Sequence, residues 1–217
     1  MTAKRPKVRV VLVDDHTLVR EALSTLLCSC GWIEVVGQAG DSPRALSTLV
    51  SQKPDVLVLD YSIPGGGALP VIEQVVRSRS RTRIIVLTVH ESIHYAVRVL
   101  EAGAHGYVIK SSAVEELLEA IRSVRRDEVY VTPQVSHKVI HSLRRPRRDR
   151  VGVEALSARE FELLRLLGSG MSLRQTSESL NISPSTASTY RTRLMSKLEL
   201  SSTAELIRFA IENDVVG

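Results

Sequence analysis

Apolar residues in the first half of the chain come in short unbroken runs, and each run stops at a polar or charged residue. Val10 to Val13 is followed by Asp14-Asp15, Val56 to Leu59 by Asp60, Ile84 to Leu87 by Thr88, and Tyr107 to Ile109 by Lys110. Runs this short and this apolar predict parallel strands covered on both faces. Strands are expected at Val8–Val13, Ile33–Ala39, Val56–Leu59, Ile84–Leu87 and Gly106–Ile109. Between them, helical spacing of apolar residues marks Leu18–Cys28, Pro43–Leu49, Leu69–Val76, His94–Ala102 and Val114–Val124. Five strand–helix units predict an α/β fold with a doubly wound, five-stranded parallel sheet.

After Arg126 that rhythm stops. Val135–Leu143 reads as one more helix, and Arg144-Arg145-Pro146-Arg147-Arg148-Asp149-Arg150 reads as an extended, solvated linker. From Leu156 the pattern is helical and well punctuated. Ser157 to Glu160 forms a capping box before Phe161–Leu167, which Gly168 and Gly170 close. Leu173–Leu180 is a short second helix. Ser183-Pro184 supplies a cap and a first-turn proline for Ser185–Leu198, and a second capping box, Ser202 to Glu205, opens Leu206–Glu212. A short helix, a three-residue turn and a longer helix make a helix-turn-helix unit within a small all-α four-helix domain. The expected division is therefore 1–127, a connecting segment 128–155 and 156–217.

Charge changes this picture only locally. The net charge is +5. Five arginines and one aspartate stand between Leu143 and Arg150, whereas the residues from Val151 onward carry seven cations against eight carboxylates. The basic excess thus belongs to the connecting segment, and does not by itself mark the C-terminal domain as a nucleic-acid binder. Aromatic residues make up 4% of the chain, too few for a base-stacking surface. No apolar run is long enough to span a bilayer, and the stretch behind Lys4, Arg5 and Lys7 is cut off by Asp14-Asp15. Cys28 and Cys30 fit neither a C-x-x-C pair nor a zinc site, so reduced thiols and a cytoplasmic, non-membrane protein are expected.

The residues that end the strands carry the chemistry. Ligands of an open parallel sheet collect outside the carboxyl ends of its strands, which puts Asp14, Asp15, Asp60, Thr88 and Lys110 on one rim. Three carboxylates so close either raise a pKa or bind a cation. A hard divalent ion such as Mg²⁺, held by carboxylates, a carbonyl and water, is the simpler solution. Lys110 can pair with a carboxylate or a phosphoryl group, Thr88 can donate to a phosphoryl oxygen, and Asp60 can act as nucleophile toward a phosphorylated donor. Gly65-Gly66-Gly67 matches neither dinucleotide-binding nor P-loop spacing.

On these residues, 8–126 resembles a CheY-like receiver domain of two-component signalling. The carriers are Asp14-Asp15, Asp60 with Ile63-Pro64-Gly65, Thr88, and Gly103-Ala104-His105-Gly106-Tyr107 leading to Lys110. The resemblance implies that Asp60 is the phospho-acceptor and that Asp15, Asp60 and the Ser62 backbone carbonyl ligate Mg²⁺, with Asp14 acting through water. It implies Thr88 and Tyr107 as a switch pair and Lys110 as the phosphoryl-binding cation. Ile63 stands where Met is usual, the glycine run is expected to loosen the loop after Asp60, and His90 is expected to be a solvated loop residue.

Residues 156–213 resemble the LuxR-type helix-turn-helix of NarL/FixJ response regulators, through Leu156-Ser157-x-Arg159-Glu160, Gly170-Met171-Ser172, Leu180 to Thr186 and Met195-Ser196-Lys197-Leu198. The implied recognition helix offers Ser185, Ser188, Thr189, Arg191, Thr192, Arg193 and Lys197 to DNA. Ala187, Ser188 and Tyr190 depart from the usual Val, Lys and His, and Gln175-Thr176-Ser177 from the usual Glu-Ile-Ala. Those departures and the reader's slight negative charge predict weak DNA affinity for a single copy. The combined resemblance implies a non-enzyme: a transcription regulator phosphorylated at Asp60 by a sensor histidine kinase, binding double-stranded DNA as a homodimer when active, with RNA polymerase as a candidate further partner. The alternative is a signalling module whose reader binds protein, which a shallow salt dependence of duplex binding would favour. A Mg²⁺-dependent aspartyl-phosphate hydrolase is disfavoured because Ser62 stands where that chemistry needs an acid/base carboxylate.

Overall fold

In the computed structural model, which describes residues 6–111 and 114–216, the expected runs form β1 (Val8–Val13), β2 (Ile33–Ala39), β3 (Val56–Asp60), β4 (Arg83–Thr88) and β5 (Gly106–Ile109). Helices α1 (Thr17–Ser29), α2 (Ser42–Gln52), α3 (Ala68–Arg77), α4 (Ile93–Ala102) and α5 (Val114–Arg125) alternate with them. Every residue of β3 is buried, as a Val-Leu-Val-Leu run requires when helices cover both faces of a sheet. Val10, Leu12, Val56, Val58, Ile85 and Val108 pack with Leu27, Leu117, Ile121 and Val124 from the helices.

The sheet has six strands, not the expected five. The sixth is β6 (Tyr130–Val131), and the order is β2-β1-β3-β4-β5-β6 with every neighbouring pair parallel. Two residues are too few for any periodicity to register. The strand exists because Thr132 extends the ladder: its N–H donates to Tyr107 O at 3.0 Å, and its hydroxyl accepts from Ile109 N at 3.1 Å.

The chain divides into two units. One comprises the residues up to Glu91 with Val99–Ser136, the other Ser92–Arg98 with the residues from His137 onward. Helix α6 (Pro133–Arg144) is followed by 3-10 turns at Arg147–Asp149 and Gly152–Ala155, then by α7 (Ala158–Gly168), α8 (Leu173–Ser179), α9 (Pro184–Lys197) and α10 (Thr203–Glu212). The arginine-rich stretch is therefore not the extended linker its composition predicts. Arg150 is buried, and its guanidinium donates to Arg145 O at 3.3 Å and Ser142 O at 3.5 Å. These carbonyls lie at the C-terminal end of α6, where helix geometry leaves acceptors without partners and an arginine can satisfy them. Composition sees charge alone; the fold uses the guanidinium as a cap.

Within the second unit, Phe161, Leu163, Leu164 and Leu167 of α7 are buried, as are Ala187 and Leu194 of α9 and Leu206 and Ala210 of α10. Ser157 and Glu160 make the expected capping box, and Ser172 with Gln175 makes another at α8. At α10 the motif slips by one residue: Ser202 caps Glu205 N, while the Glu205 carboxylate accepts from Ser201 N at 2.7 Å. Thr176 in α8 is fully buried, and its hydroxyl has no hydrogen-bond partner among the described residues. An orphaned buried hydroxyl costs stability that an isosteric methyl does not. Thr176→Val is expected to raise the second unit's stability by about 1 kcal/mol, read from the urea midpoint; a lowered midpoint would show that the hydroxyl is satisfied in solution.

Candidate functional site

The connections run from β1 outward to β2 on one side and back to β3 on the other, so a crevice opens outside the carboxyl ends of β1 and β3. Asp14 follows β1, Asp60 ends β3, Thr88 ends β4 and Lys110 follows β5. The parallel register brings these ends level: Val13 lies opposite Leu59, Asp60 opposite Leu87 and Thr88 opposite Ile109. The strand-ending residues singled out from the sequence thus meet in space.

Asp14 and Asp60 are buried, at 2% and 4% exposure, where a carboxylate needs compensation. Lys110 supplies it: its Nζ lies 2.7 Å from Asp14 Oδ2 and 2.9 Å from Asp60 Oδ2. Burial pushes the Asp60 carboxyl above its ordinary value, repulsion from Asp14 adds to this, and Lys110 offsets part of it. Desolvation works against the Lys110 ammonium, but its bonds to the two carboxylates outweigh that and raise its pKa. Asp15 is more exposed and sits beside His16, whose Nδ1 is 2.9 Å from Asp15 Oδ1. One ligand atom from each of Asp14, Asp15, His16 and Asp60 lies within 4.8 Å of every other. A single ammonium against three carboxylates leaves negative charge uncompensated, so the donor set fits a divalent cation such as Mg²⁺.

Thr88 and Tyr107 act on the backbone of the same residue. The Thr88 hydroxyl accepts from His90 N at 3.0 Å, and the buried Tyr107 hydroxyl donates to His90 O at 2.7 Å. The His90 backbone is therefore bracketed by both, and its ring stands edge-on to Tyr61 with centroids 6.0 Å apart. His90 is half-buried, not the solvated loop residue expected. The glycine run is also less free than its composition suggests. Gly65, Gly66 and Gly67 all have positive φ, and Ser42 anchors the loop by donating from its hydroxyl toward Pro64 O and Gly67 O, both at 3.1 Å. At Gly65 a Cβ would lie 2.9 Å from Pro43 Cδ. Glycine here selects one backbone path and does not merely loosen it.

The second unit presents α9. The turn before it places Asn181 at φ 52°, a left-handed conformation that asparagine tolerates, and Ser183 caps the helix by accepting from Thr186 N at 3.1 Å. Ser185, Ser188, Thr189, Thr192 and Arg193 are exposed. Ser185, Thr186, Thr189, Tyr190 and Arg193 line a hollow of about 280 Å³. Arg191 bonds Thr203 Oγ1 at 3.2 Å. Lys197 turns the other way, its Nζ 2.7 Å from Oε2 of the buried Glu160.

That pair has a pH signature. Burial raises the Glu160 carboxyl, but Lys197 and the Ser157 amide and hydroxyl outweigh it, so the carboxyl titrates below its ordinary value. A depressed folded-state value contributes stability above the ordinary carboxylate range and loses it as pH falls through the folded value. Lys197→Ala is expected to cost about 1–3 kcal/mol at neutral pH and to flatten the acid loss. Urea unfolding at pH 7 and pH 4 checks both.

Sequence reasoning missed His16, although its place next to Asp14-Asp15 was a usable signal. It also missed the capping roles of Gln175 and Arg150, which depend on where other elements end.

Comparison with known proteins matches both units. A family model described as "Response regulator receiver domain" matches residues 10–122, and one described as "Bacterial regulatory proteins, luxR family" matches residues 154–210. Response regulator GacA of Pseudomonas aeruginosa is 32% identical over 209 residues, covering 96% of this chain and 98% of its own. Response regulator UvrY of Escherichia coli K12 is 34% identical over 206 residues, covering 95% and 94%. RcsB from Salmonella enterica serovar Typhimurium, solved bound to the P1flhDC promoter with the phosphomimetic BeF3-, aligns with a TM-score of 0.72 at 26% identity, covering 94% of this chain and 98% of that one.

Proposed function

We propose, from the premise that this chain belongs to the LuxR-type response regulators, a receiver domain joined to a DNA-binding helix-turn-helix domain, that phosphorylation of Asp60 by a partner sensor histidine kinase sets its affinity for DNA. The observation that carries this reading is the buried Asp60, held by Lys110 on an acidic rim, in the same chain as a capped helix with an exposed polar face. In the transfer, an Asp60 carboxylate oxygen forms a bond to phosphorus as the donor's nitrogen–phosphorus bond breaks, and the leaving nitrogen takes its proton from water. Asp15, Asp60 and the Ser62 carbonyl would hold the divalent cation, and Asp14 would act through water. When bound, the cation supplies charge neutralisation to the crowded carboxylates and the incoming phosphoryl oxygens. Lys110 neutralises the same charge from the β5 side, and the Thr88 hydroxyl, which accepts from His90 N, turns its own proton toward a phosphoryl oxygen. Thr88 and Tyr107 both hold the backbone of His90, so a new acceptor for Thr88 alters the packing at Tyr107, and the equilibrium moves toward a DNA-competent dimer.

Asp60 undergoes covalent chemistry but turns over no outside substrate, so the protein is a regulator and not an enzyme. It works in the cytoplasm, where its DNA lies, with RNA polymerase a further partner at the promoter. Among the described residues no helix is long and apolar enough to cross a membrane. Selection of genomic fragments by the purified chain, with and without a small phosphodonor, tests the reading. Recovery of one short paired sequence, enriched by the donor, is the expected result. Indifference to duplex sequence and to salt would favour a reader that binds protein.

A further inference from the structure

His16 occupies the position that caps α1, yet its side chain makes no capping hydrogen bond. Ser, Thr, Asp or Asn would serve that position better, so capping does not account for the imidazole. Its backbone is fixed: His16 N donates to Asp14 Oδ1 at 2.8 Å. Its ring faces the rim, with Nδ1 2.9 Å from Asp15 Oδ1 and 3.4 Å from Asp14 Oδ1. The side chain is 69% exposed, so the ring lies over the crevice mouth and can be reached from solvent. Lys110 already engages the inner carboxylates, Asp14 and Asp60, whereas Asp15 meets only His16 among the described residues. An ion arriving from solvent therefore meets one carboxylate and one imidazole before the buried oxygens.

This donor set is not that of a site reserved for Mg²⁺. Magnesium takes oxygen ligands and gains little from an imidazole, while cobalt, nickel and zinc bind imidazole nitrogen well. We propose that His16 is a metal ligand of the rim, giving it a mixed nitrogen–oxygen set that prefers a late first-row divalent ion over Mg²⁺. The inference rests on the reading of the rim as a divalent-cation site, and adds that the chain's phospho-acceptor centre responds to which divalent metal is present. An imidazole that merely hydrogen-bonds Asp15 at the surface would stay off an added metal, and the ring's response to the metal separates the two.

The test uses the full chain, Mg²⁺ and Co²⁺ for affinity, Mn²⁺ as a paramagnetic probe, and the variant His16→Asn, which keeps a good capping residue at the start of α1. Titration calorimetry gives the affinity for each ion, and Mn²⁺ electron spin-echo spectroscopy reports whether a nitrogen nucleus is coupled to the bound metal. The native chain is expected to bind one Co²⁺ at the rim more tightly than Mg²⁺ and to show nitrogen coupling. His16→Asn should weaken Co²⁺ binding at least about tenfold, leave Mg²⁺ binding within about twofold because oxygen ligands carry it, and abolish the coupling. Unchanged Co²⁺ affinity in the variant, with Mg²⁺ still bound, overturns the inference and leaves the divalent site standing. Nitrogen coupling that persists assigns the signal to another histidine and overturns it as well. If the native chain binds neither ion at the rim, the parent reading falls first.

Discussion

Asp60→Asn is expected to remove all phosphoryl labelling of the chain by a small phosphodonor in the presence of a divalent cation, without unfolding it. The amide keeps the shape of the carboxyl but lacks the anionic oxygen that attacks phosphorus. The fold tolerates the change because Asp60 is an electrostatic liability. Burial and repulsion from Asp14 both act against its charged form, and Lys110 keeps Asp14 as a partner at 2.7 Å when Asp60 is neutral. The unfolding midpoint should therefore hold or rise slightly. Lys110→Ala behaves in the opposite way: two buried carboxylates lose their shared ammonium, a loss of about 3 kcal/mol, and labelling falls because the phosphoryl charge also goes unpaired. Mass spectrometry of acid-labile phosphate, alongside urea unfolding, separates the two. Native-level labelling of Asp60→Asn would move the acceptor to another residue.

Arg193→Ala is expected to weaken binding to every duplex and to lower the salt slope by about one per bound copy. Arg193 is exposed, has no ion-pair partner among the described residues and borders the hollow formed with Ser185, Thr186, Thr189 and Tyr190. A free guanidinium there meets phosphate, which positions the helix without reading sequence. Arg191→Ala should do the same more weakly, since that guanidinium is shared with Thr203. Ser188→Ala should instead change which sequence is preferred, because residues near the start of such a helix reach base edges. Lys197 gives the sharpest contrast. Sequence spacing places it among the DNA contacts, but its ammonium is held by Glu160, so Lys197→Ala should lower stability and leave the slope unchanged. Binding titrations across salt on a selected and a scrambled site distinguish these outcomes. An unaltered slope in Arg193→Ala would take α9 out of the groove.

Two copies are expected to matter, because the reader carries little basic charge of its own. From Val151 onward cations are outnumbered by carboxylates, so general attraction to phosphate is small. Joining two modules raises affinity with no new contact.

The strands of the sheet and the rim residues were legible because each depends on a local signal. A buried strand must be apolar throughout, and a polar residue at its carboxyl end can only face the crevice, so Asp14, Asp60, Thr88 and Lys110 announce themselves. Capped helices are equally local, since Ser157 and Glu160 satisfy each other three residues apart. Residues whose role depends on a distant partner were not legible. Lys197 reads as a phosphate contact until Glu160, 37 positions away, takes its ammonium. Arg150 reads as linker until the end of α6 offers it carbonyls, and His90 reads as solvated until Thr88 and Tyr107 close on its backbone.

By itself, then, the sequence determined the alternating strands and helices, the acidic rim and the helix-turn-helix, because burial period, strand ends and caps act over a few residues. The tertiary structure alone decided that β6 joins the sheet, which way Lys197 and Arg150 turn, and that His16 faces the carboxylates. Those outcomes depend on charges and hydrogen-bonding groups from distant parts of the chain finding one another, and a pattern read along the chain carries no measure of distance in space.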